Sequence, residues 1–198
     1  MSRSSSSALA FDRRSWPDLL HPIQRPRPVR APAEPEPLNP IQLVEFTRFL
    51  ADEVNSGQYP FVQYDRQARW HQRLYRDQRV DVWLISWLPS QGTQLHDHGG
   101  SSGAFTVVSG ELSEAVYIDR GAQVGSLRER NLALGRSVGF DGRYVHDVRN
   151  LTDRPAVSIH AYSSPLKSMR FYDVEDGRLV NIATLDTEDP EPDFPSVA

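Results

Sequence analysis

Two absences limit what this chain can be: it has no cysteine, and it has no long apolar run. Without cysteine there is no disulfide framework, no thiolate metal ligand and no cysteine nucleophile, so any thiol chemistry must come from a substrate. Without a run of about 20 apolar residues, no segment is predicted to cross a bilayer as a helix. A soluble protein is expected.

The sequence also has no excess of positive charge. It contains 22 lysine and arginine residues against 26 aspartate and glutamate residues, which gives a formal net charge of -4 at pH 7. This balance offers no broad basic surface, so neither a nucleic acid nor a membrane is expected as a partner. Residues 1–10 are serine-rich and lack the apolar centre of a secretory signal, which makes a cytoplasmic location the default prediction.

The composition divides the chain into one domain with two tails. Residues 1–38 are rich in serine and proline, and the prolines leave no room for a continuous helix or sheet ladder. We interpret this segment as an arm that lies along the domain, in preference to an arm that recognises a partner. Residues 39–180 form the predicted domain, and residues 181–198 form an acidic, proline-rich tail.

Hydrophobic spacing predicts one helix and then many short strands. Asn39 and Pro40 resemble a cap followed by proline at the first helical position, and apolar residues then recur at helical spacing. A short N-terminal helical region over about residues 40–55 is therefore expected. Turn residues separate the segments that follow, which predicts an all-β sandwich or barrel. The predicted strands are 69–76, 80–88, 93–98, 104–109, 112–118, 126–130, 137–140, 144–149, 155–163 and 169–174.

Three histidines are candidate metal ligands. His96 and His98 are one residue apart in a β-rich stretch, so both side chains can aim at one point. This pair alone is a weak signal, because ordinary surface or hydrogen-bonded histidines often show the same spacing. His146, four residues before Asn150, adds a third imidazole. Three neutral imidazoles suit a divalent first-row metal, leave coordination positions free and leave the metal charge available to an anionic ligand.

The spacing of histidines and glycines resembles a known superfamily. The motif H-x-H-x4-G-x6-G that begins at His96, followed by H-x3-N from His146, resembles the paired histidine motifs of the cupins. The resemblance implies a double-stranded β-helix, the jelly-roll barrel, which brings both motifs together. Gly103 stands where many cupins carry a fourth, glutamate ligand, so the site is expected to be open and catalytic.

A third run narrows the resemblance. Residues 158–165 read S-x-H-x-Y-S-x-P, and with the two histidine motifs they resemble the cysteine dioxygenase family, the thiol dioxygenases among the cupins. The match covers roughly residues 68–175, and the pattern resembles the bacterial type I members. It implies an oxidoreductase that holds Fe(II) through His96, His98 and His146. The implied reaction adds both atoms of O2 to the sulfur of L-cysteine and gives cysteine sulfinic acid.

The resemblance also assigns roles on one strand. Ser158, His160 and Tyr162 alternate and face the same side, which permits a relay in which His160 orients the Tyr162 hydroxyl toward the metal. The resemblance implies that all three are catalytic and that Tyr162 also contacts the substrate. The alternative is an inward polar strand satisfied by backbone groups. Mammalian members join a cysteine to the matching tyrosine, but Gly103 occupies that cysteine position here, so the crosslink cannot form.

An amino-acid substrate needs a cation for its carboxylate, and arginine offers a planar fork of donors. In the family this arginine lies on the strand preceding the one that leads to the H-x-H motif, and our choice here is Arg73. The register is open, so Arg69, His71 and Arg76 are alternatives. Gln72 is a complication, because relatives that act on 3-mercaptopropionate carry glutamine in place of that arginine.

Other functions fit part of this pattern. The nearest is the same chemistry on 3-mercaptopropionate, cysteamine or another small thiol. A non-catalytic metal-binding cupin is a second alternative. Isomerisation or carbon–carbon cleavage is a third, and only the polar run at residues 158–162 opposes it. The expected partners are a small-molecule thiol and O2, and the chain is expected to be a monomer or a weak homodimer.

Overall fold

The computed structural model describes residues 36–57, 62–121, 123–190 and 192. Within these residues the chain forms one helix, α1, followed by eleven strands. Their bounds are α1 Pro40–Asn55, β1 His71–Arg76, β2 Asp81–Trp87, β3 His96–Asp97, β4 Ser102–Ser109, β5 Glu111–Ile118, β6 Ser126–Ala133, β7 Ser137–Phe140, β8 His146–Arg149, β9 Ala156–Ser163, β10 Ser168–Glu175 and β11 Arg178–Asp186.

Helix α1 lies where the sequence predicts a helix. The Asn39 side chain accepts hydrogen bonds from the N–H groups of Ile41 and Gln42, and the Gln42 side chain accepts one from the Asn39 N–H. This reciprocal cap satisfies donors that the first helical turn leaves unpaired. The buried face of the helix packs on β4, where the Thr47 and Thr106 hydroxyls lie 2.8 Å apart. Among the described residues, no helix is long and apolar enough to cross a membrane.

Two antiparallel sheets form the body of the described chain. The first has the strand order β1-β2-β9-β4-β7, and the second has the order β11-β10-β3-β8-β5-β6. Both sheets contribute side chains to one buried core, with Trp87 and Phe105 from the first sheet and Leu112 and Val148 from the second. These facing sheets form the cupin double-stranded β-helix, and the all-β prediction is confirmed.

Strand β3 is shorter than predicted. The sequence predicts a strand over residues 93–98, but only His96 and Asp97 pair as a strand. Upstream, the Thr93 N–H donates to the Val148 carbonyl, and the Val148 N–H donates to the Thr93 hydroxyl, each at 2.8 Å. A side chain therefore replaces one ladder hydrogen bond, which ends regular pairing before the histidines.

Strand β11 was not predicted, and it corrects the position of the predicted C-terminal tail. It forms a hairpin with β10 around Asp176 and Gly177, which have φ angles of 49° and 70°. Residues with positive φ at both central positions are typical of the two-residue turn that joins twisted strands. The strand continues to Asp186, so residues 181–186 belong to the sheet and not to the tail.

Of the predicted N-terminal arm, only residues 36–38 lie in the described part of the chain. Leu38 is buried, and its N–H donates a hydrogen bond of 2.8 Å to the Ser163 hydroxyl at the end of β9. The remainder of the arm lies outside the described residues, so its course along the domain stays a prediction.

Candidate metal centre

Three imidazoles converge between the two sheets. Strand β3 pairs with β8 so that His96 lies opposite His146, and His98 follows two residues after His96. One possible ligand nitrogen from each side chain lies within 4.8 Å of those from the other two. All three side chains are buried, with at most 4% of their surface exposed. The structure thus brings together the three histidines that the sequence analysis identified.

Hydrogen bonds orient two of these rings. The Nδ1 atom of His96 donates to the Gln94 carbonyl oxygen at 2.7 Å, since a carbonyl can only accept. The Nδ1 atom of His146 lies 2.8 Å from Oε1 of Glu114 and donates to this carboxylate. With both Nδ1 atoms engaged, Nε2 is the atom that each ring can offer to a metal.

His98 is positioned by ring packing. Its imidazole packs against Phe140 and Tyr162, with ring centroids 4.8 and 5.0 Å away. Within the part of the chain that the structure describes, its buried Nδ1 has no hydrogen-bond partner. Burial, reinforced by the neighbouring imidazoles, lowers the pKa of both His96 and His98 well below the usual value. Neutral imidazole is the metal-binding form, so this buried donor set fits a divalent first-row metal ion.

A buried carboxylate on β5 lies behind His146. Oε1 of Glu114 accepts the His146 hydrogen bond and a second one of 3.0 Å from the Tyr144 hydroxyl. Oε2 accepts a hydrogen bond of 2.6 Å from Nε of Arg130. Burial alone would raise the pKa of Glu114, but the His146 hydrogen bond and the Arg130 ion pair outweigh it and lower the pKa. Glu114 is therefore a charged carboxylate in the protein interior.

Glu114 is not among the site residues predicted from the sequence, although the sequence carries a signal for it. Leu112, Glu114 and Val116 alternate on β5, and all three are buried. An acidic residue at an inward position between two apolar residues is costly to bury unless it has partners. Such a position predicts a buried partner of opposite charge or a hydrogen-bond donor.

Ser158, His160 and Tyr162 form a linked chain of side chains on β9. The Ser158 Oγ atom lies 2.9 Å from Nε2 of His160, and the Tyr162 hydroxyl lies 3.3 Å from Nδ1 of the same ring. All three residues are buried. The three polar groups are thus linked through side-chain atoms along one face of the strand.

The indole of Trp87 determines the direction of proton donation along this chain. Its Nε1–H can only donate, and it donates to Ser158 Oγ at 2.8 Å. Because Ser158 is fully buried, its own proton goes to Nε2 of His160. His160 then carries its proton on Nδ1 and donates to the Tyr162 oxygen, so the Tyr162 proton points away from His160. Burial, with smaller contributions from the neighbouring His146 and Arg69, lowers the pKa of His160 to about 3, so this ring is neutral.

Gly103 leaves no space for a side chain. A Cβ atom at this position would overlap the ring of Phe140, its partner on β7. The same ring stacks on His98 with an interplanar angle of 25°. Phe140 thus fills the space beside Gly103 and supports one of the three imidazoles.

Arg73, the predicted carboxylate ligand, is engaged by groups of the protein. Its Nε lies 3.1 Å from Oδ1 of the fully buried Asp81, and its guanidinium stacks over Trp83 at 4.3 Å. Arg76 also pairs with Asp81, at 3.4 Å, and makes two hydrogen bonds of 2.8 and 2.9 Å with the Glu188 carboxylate. Protein carboxylates therefore balance the charges of both arginines.

The charge of Arg69 influences the pKa of two buried histidines. Its guanidinium lies 5.5 Å from the centre of the Trp87 ring and hydrogen-bonds the Gly92 carbonyl oxygen. After burial and other contributions, this charge helps to lower the pKa of both His96 and His160. Arg69 is one of the alternatives predicted from the sequence. Its charge acts on the three-histidine cluster through His96 and on the linked side chains of β9 through His160.

Two further residues of β1, His71 and Gln72, bear on the prediction of the carboxylate-binding residue. Nε2 of His71 lies 3.2 Å from Oδ1 of Asp189, and its ring packs on Trp83 at 5.5 Å. Gln72 is exposed at the surface. His71 is thus tied to the segment that follows β11, and Gln72 faces solvent.

Comparison with known proteins identifies the family. A sequence model of the family described as Cysteine dioxygenase type I matches residues 45–175, more than half of the chain. Cysteine dioxygenase type 1 of Danio rerio is 29% identical over 152 residues, which covers 68% of this chain and 72% of the relative. The Homo sapiens protein of the same name is 25% identical over 175 residues, which covers 72% and 84%. The solved structure of TT1209 from Thermus thermophilus aligns with a TM-score of 0.46 at 22% identity, covering 53% of this chain and 91% of that one. The chain belongs to the cysteine dioxygenase type I family.

Proposed function

We propose that this protein is an Fe(II)-dependent thiol dioxygenase that adds both atoms of O2 to the sulfur of L-cysteine and forms cysteine sulfinic acid. One observation carries the proposal: the three converging imidazoles lie beside the linked polar chain of β9. The two are in contact, because the Tyr162 ring packs against His98. Family membership supports the same reaction.

The metal ligands in this proposal are His96, His98 and His146. When bound, Fe(II) supplies a positive charge that favours thiolate over a thiol of pKa near 8.5, together with free coordination positions for sulfur and O2. Because His96 and His98 are already neutral, these rings need not lose a proton before they bind a metal. Neutral imidazole is the metal-binding form, so three imidazole ligands leave the charge of the metal uncompensated and favour an anionic substrate.

Tyr162 is the residue that we assign to catalysis and substrate contact on the protein side. His160, held by Ser158, donates to the tyrosine oxygen, so the phenol can present its own proton to the substrate. A preorganised donor stabilises negative charge as it develops on a reacting group. Ser158 and His160 act through Tyr162, because they hold its hydroxyl in one orientation.

The distribution of charges favours Arg69 over Arg73 as the partner of the substrate carboxylate. Arg73 is paired with the buried Asp81, and recruiting it to a substrate would weaken the compensation of that buried carboxylate. Among the described residues, Arg69 hydrogen-bonds a backbone carbonyl oxygen instead of a buried carboxylate, and its charge contributes to lowering the pKa of His96 and His160. We therefore assign carboxylate recognition to the Arg69 guanidinium, whose planar fork suits a carboxylate.

Oxygen uptake with a panel of thiols tests the reaction. After anaerobic reconstitution with Fe(II), L-cysteine should support the fastest O2 consumption among L-cysteine, 3-mercaptopropionate and cysteamine. Mass spectrometry with labelled O2 should find both oxygen atoms in the sulfinate product. Faster turnover of another thiol would show that this thiol, and not L-cysteine, is the preferred substrate, and the proposed dioxygenase reaction would still hold. Bound metal without thiol-dependent O2 uptake would indicate a non-catalytic metal-binding cupin.

Arg69→Gln tests the carboxylate assignment with the same panel. The KM for L-cysteine and 3-mercaptopropionate, which carry a carboxylate, should rise by about 10- to 100-fold, the cost of losing a charged hydrogen bond. The KM for cysteamine, which has no carboxylate, should change little. Arg73→Gln is the matched control and should leave the ratio between thiols unchanged. A larger carboxylate-specific effect of Arg73→Gln would return the role to Arg73.

A further inference from the structure

We infer that Glu114 is a positioning residue of the metal centre, and that it acts through His146 by placing one buried negative charge behind that ligand. This inference rests on the metal centre of the proposed function and identifies what tunes it. The contact that carries it is the hydrogen bond of 2.8 Å between Nδ1 of His146 and Oε1 of Glu114. Both side chains are almost completely buried, so solvent does not screen the interaction.

The three metal-binding imidazoles have three different environments at Nδ1. His96 donates to a neutral backbone carbonyl, and His98 has no partner for Nδ1 within the described residues. Of these three rings, His146 is the one whose Nδ1 donates to a carboxylate among the described residues. A carboxylate acceptor at Nδ1 fixes the ring tautomer and makes Nε2 a stronger electron donor than a carbonyl acceptor does. The influence of Glu114 is therefore directed at one of the three ligands.

The other contacts of Glu114 hold its carboxylate in place. Arg130 donates to Oε2 and also, at 2.9 Å, to the Tyr144 oxygen, and the Tyr144 hydroxyl donates to Oε1. These bonds form a closed ring of hydrogen bonds around the carboxylate. Arg130 is partly exposed and binds Oε2, whereas His146 binds Oε1. The two partners therefore do not compete for the same oxygen atom. The arrangement supplies negative charge to the site without a fourth, carboxylate ligand.

Metal binding to Glu114→Gln tests the inference without any need for turnover. Glutamine preserves the size of the side chain and an acceptor oxygen but removes the charge. In titrations of metal-free protein with Fe(II) or Co(II), the affinity of the variant should fall by roughly 10- to 100-fold, the usual effect of removing an outer partner of a histidine ligand. Asp81→Asn is the matched control, because Asp81 is equally buried but its ion-pair partners are Arg73 and Arg76. Its metal affinity should equal that of the unaltered protein.

The midpoint potential of the bound iron separates a charge effect from a structural one. Loss of a nearby negative charge disfavours Fe(III), so Glu114→Gln should have a higher potential than the unaltered protein, whereas Asp81→Asn should not. Folded Glu114→Gln with unchanged metal affinity and unchanged potential would overturn the inference.

Nitrogen NMR of the unaltered, zinc-loaded protein provides a test that does not depend on a variant that folds. His146 should be the Nδ1–H tautomer, with a proton resonance shifted downfield by its carboxylate acceptor. A His146 ring that carries its proton on Nε2 would overturn the inference. Failure of the thiol panel would remove the proposed reaction only, because these affinity, potential and tautomer measurements require a bound metal and no thiol.

Discussion

Among single residues, Tyr162 has the most specific chemical role in the proposed reaction. Tyr162→Phe removes the hydroxyl that His160 orients, and kcat with L-cysteine should fall by roughly 100-fold or more, as expected when a positioned proton donor is lost. The iron content should not change, because the phenol is not one of the three nitrogen ligands. Steady-state oxygen uptake and metal analysis measure the two quantities.

Tyr117→Phe provides the matched control. It removes a tyrosine hydroxyl that donates to the Gly177 carbonyl oxygen at 2.9 Å, outside the histidine cluster. This variant should retain the kcat of the unaltered protein. A Tyr162→Phe enzyme with the same kcat as Tyr117→Phe would exclude the assigned role.

Local spacing explains which site residues could be predicted from the sequence. Ser158, His160 and Tyr162 share a face because strand side chains alternate, and this alternation is visible in one segment of sequence. His96 and His98 are likewise close in sequence, although His98 follows the end of β3. Glu114, the carboxylate partner of His146, lies on a different strand. Their contact depends on the pairing of β5 with β8, which the local sequence pattern does not specify.

The choice between two arginines in and near β1 illustrates the same limit. Arg73 lies on β1 opposite Trp83 of β2, whereas Arg69 lies two residues before β1 begins, so the position of each side chain depends on a strand pairing that sequence spacing does not specify. Sequence spacing left Arg69 and Arg73 as alternatives. In the folded protein Arg73 pairs with a buried carboxylate, whereas Arg69 hydrogen-bonds the Gly92 carbonyl oxygen and lies over the Trp87 ring.

At the scale of elements, the close approach of β4 and β7 limits the size of the side chain that residue 103 can carry. Gly103→Cys would place a Cβ atom in overlap with the Phe140 ring, so either the ring or the strand must move. Overpacking of this kind should lower the free energy of unfolding by about 1–3 kcal/mol. Chemical denaturation of the metal-free protein under reducing conditions measures the change.

Ser102→Cys on the same strand is the control, because Ser102 is partly exposed and a thiol adds little volume there. Its free energy of unfolding should stay within about 0.5 kcal/mol of the unaltered value. Equal stabilities of Gly103→Cys and Ser102→Cys would show that the strands accommodate a side chain at residue 103.

The elements themselves were predictable where the signals are local. Capping residues mark the start of α1, and turn residues separate most strands. The β10–β11 hairpin was not predicted, although Asp176-Gly177 is a strong turn signal between two segments rich in apolar residues. Strand β3 was predicted too long, because the contribution of the Thr93 side chain to pairing is not visible in the sequence.

At the scale of the whole molecule, burial of neutral histidine makes stability depend on pH. The pKa of His160 is about 3 in the folded protein and about 6.5 in the unfolded chain, so below pH 6.5 the unfolded chain binds a proton that the folded protein does not. Stability from this group is complete above pH 6.5 and is lost as the pH falls toward 3. The loss between about pH 7 and pH 5 should be about 2 kcal/mol.

Unfolding of His160→Gln isolates this contribution. Glutamine does not titrate, so in metal-free protein the difference in unfolding free energy between the two pH values should be about 2 kcal/mol smaller in the variant. The other buried histidines contribute to both proteins and cancel in the comparison. Identical pH dependence of the two proteins would contradict a buried, neutral His160.

The architecture of the whole molecule was predictable from motif resemblance and regular strand spacing together. Strand order and register were not, because the five- and six-stranded sheets pair segments that are distant in sequence. These non-local pairings place His146 opposite His96 and bring β9 between β2 and β4. The site is thus a product of the complete barrel.

Iron content measured on the reconstituted protein and on His98→Ala tests the central claim most directly. Three imidazoles that share one ion should bind one Fe(II) per chain, and His98→Ala, still folded by circular dichroism, should lose both tightly bound iron and thiol-dependent O2 uptake. His71→Ala, which changes a histidine tied to Asp189, should retain its iron. A folded His98→Ala protein that keeps its iron and its turnover would contradict the shared metal site.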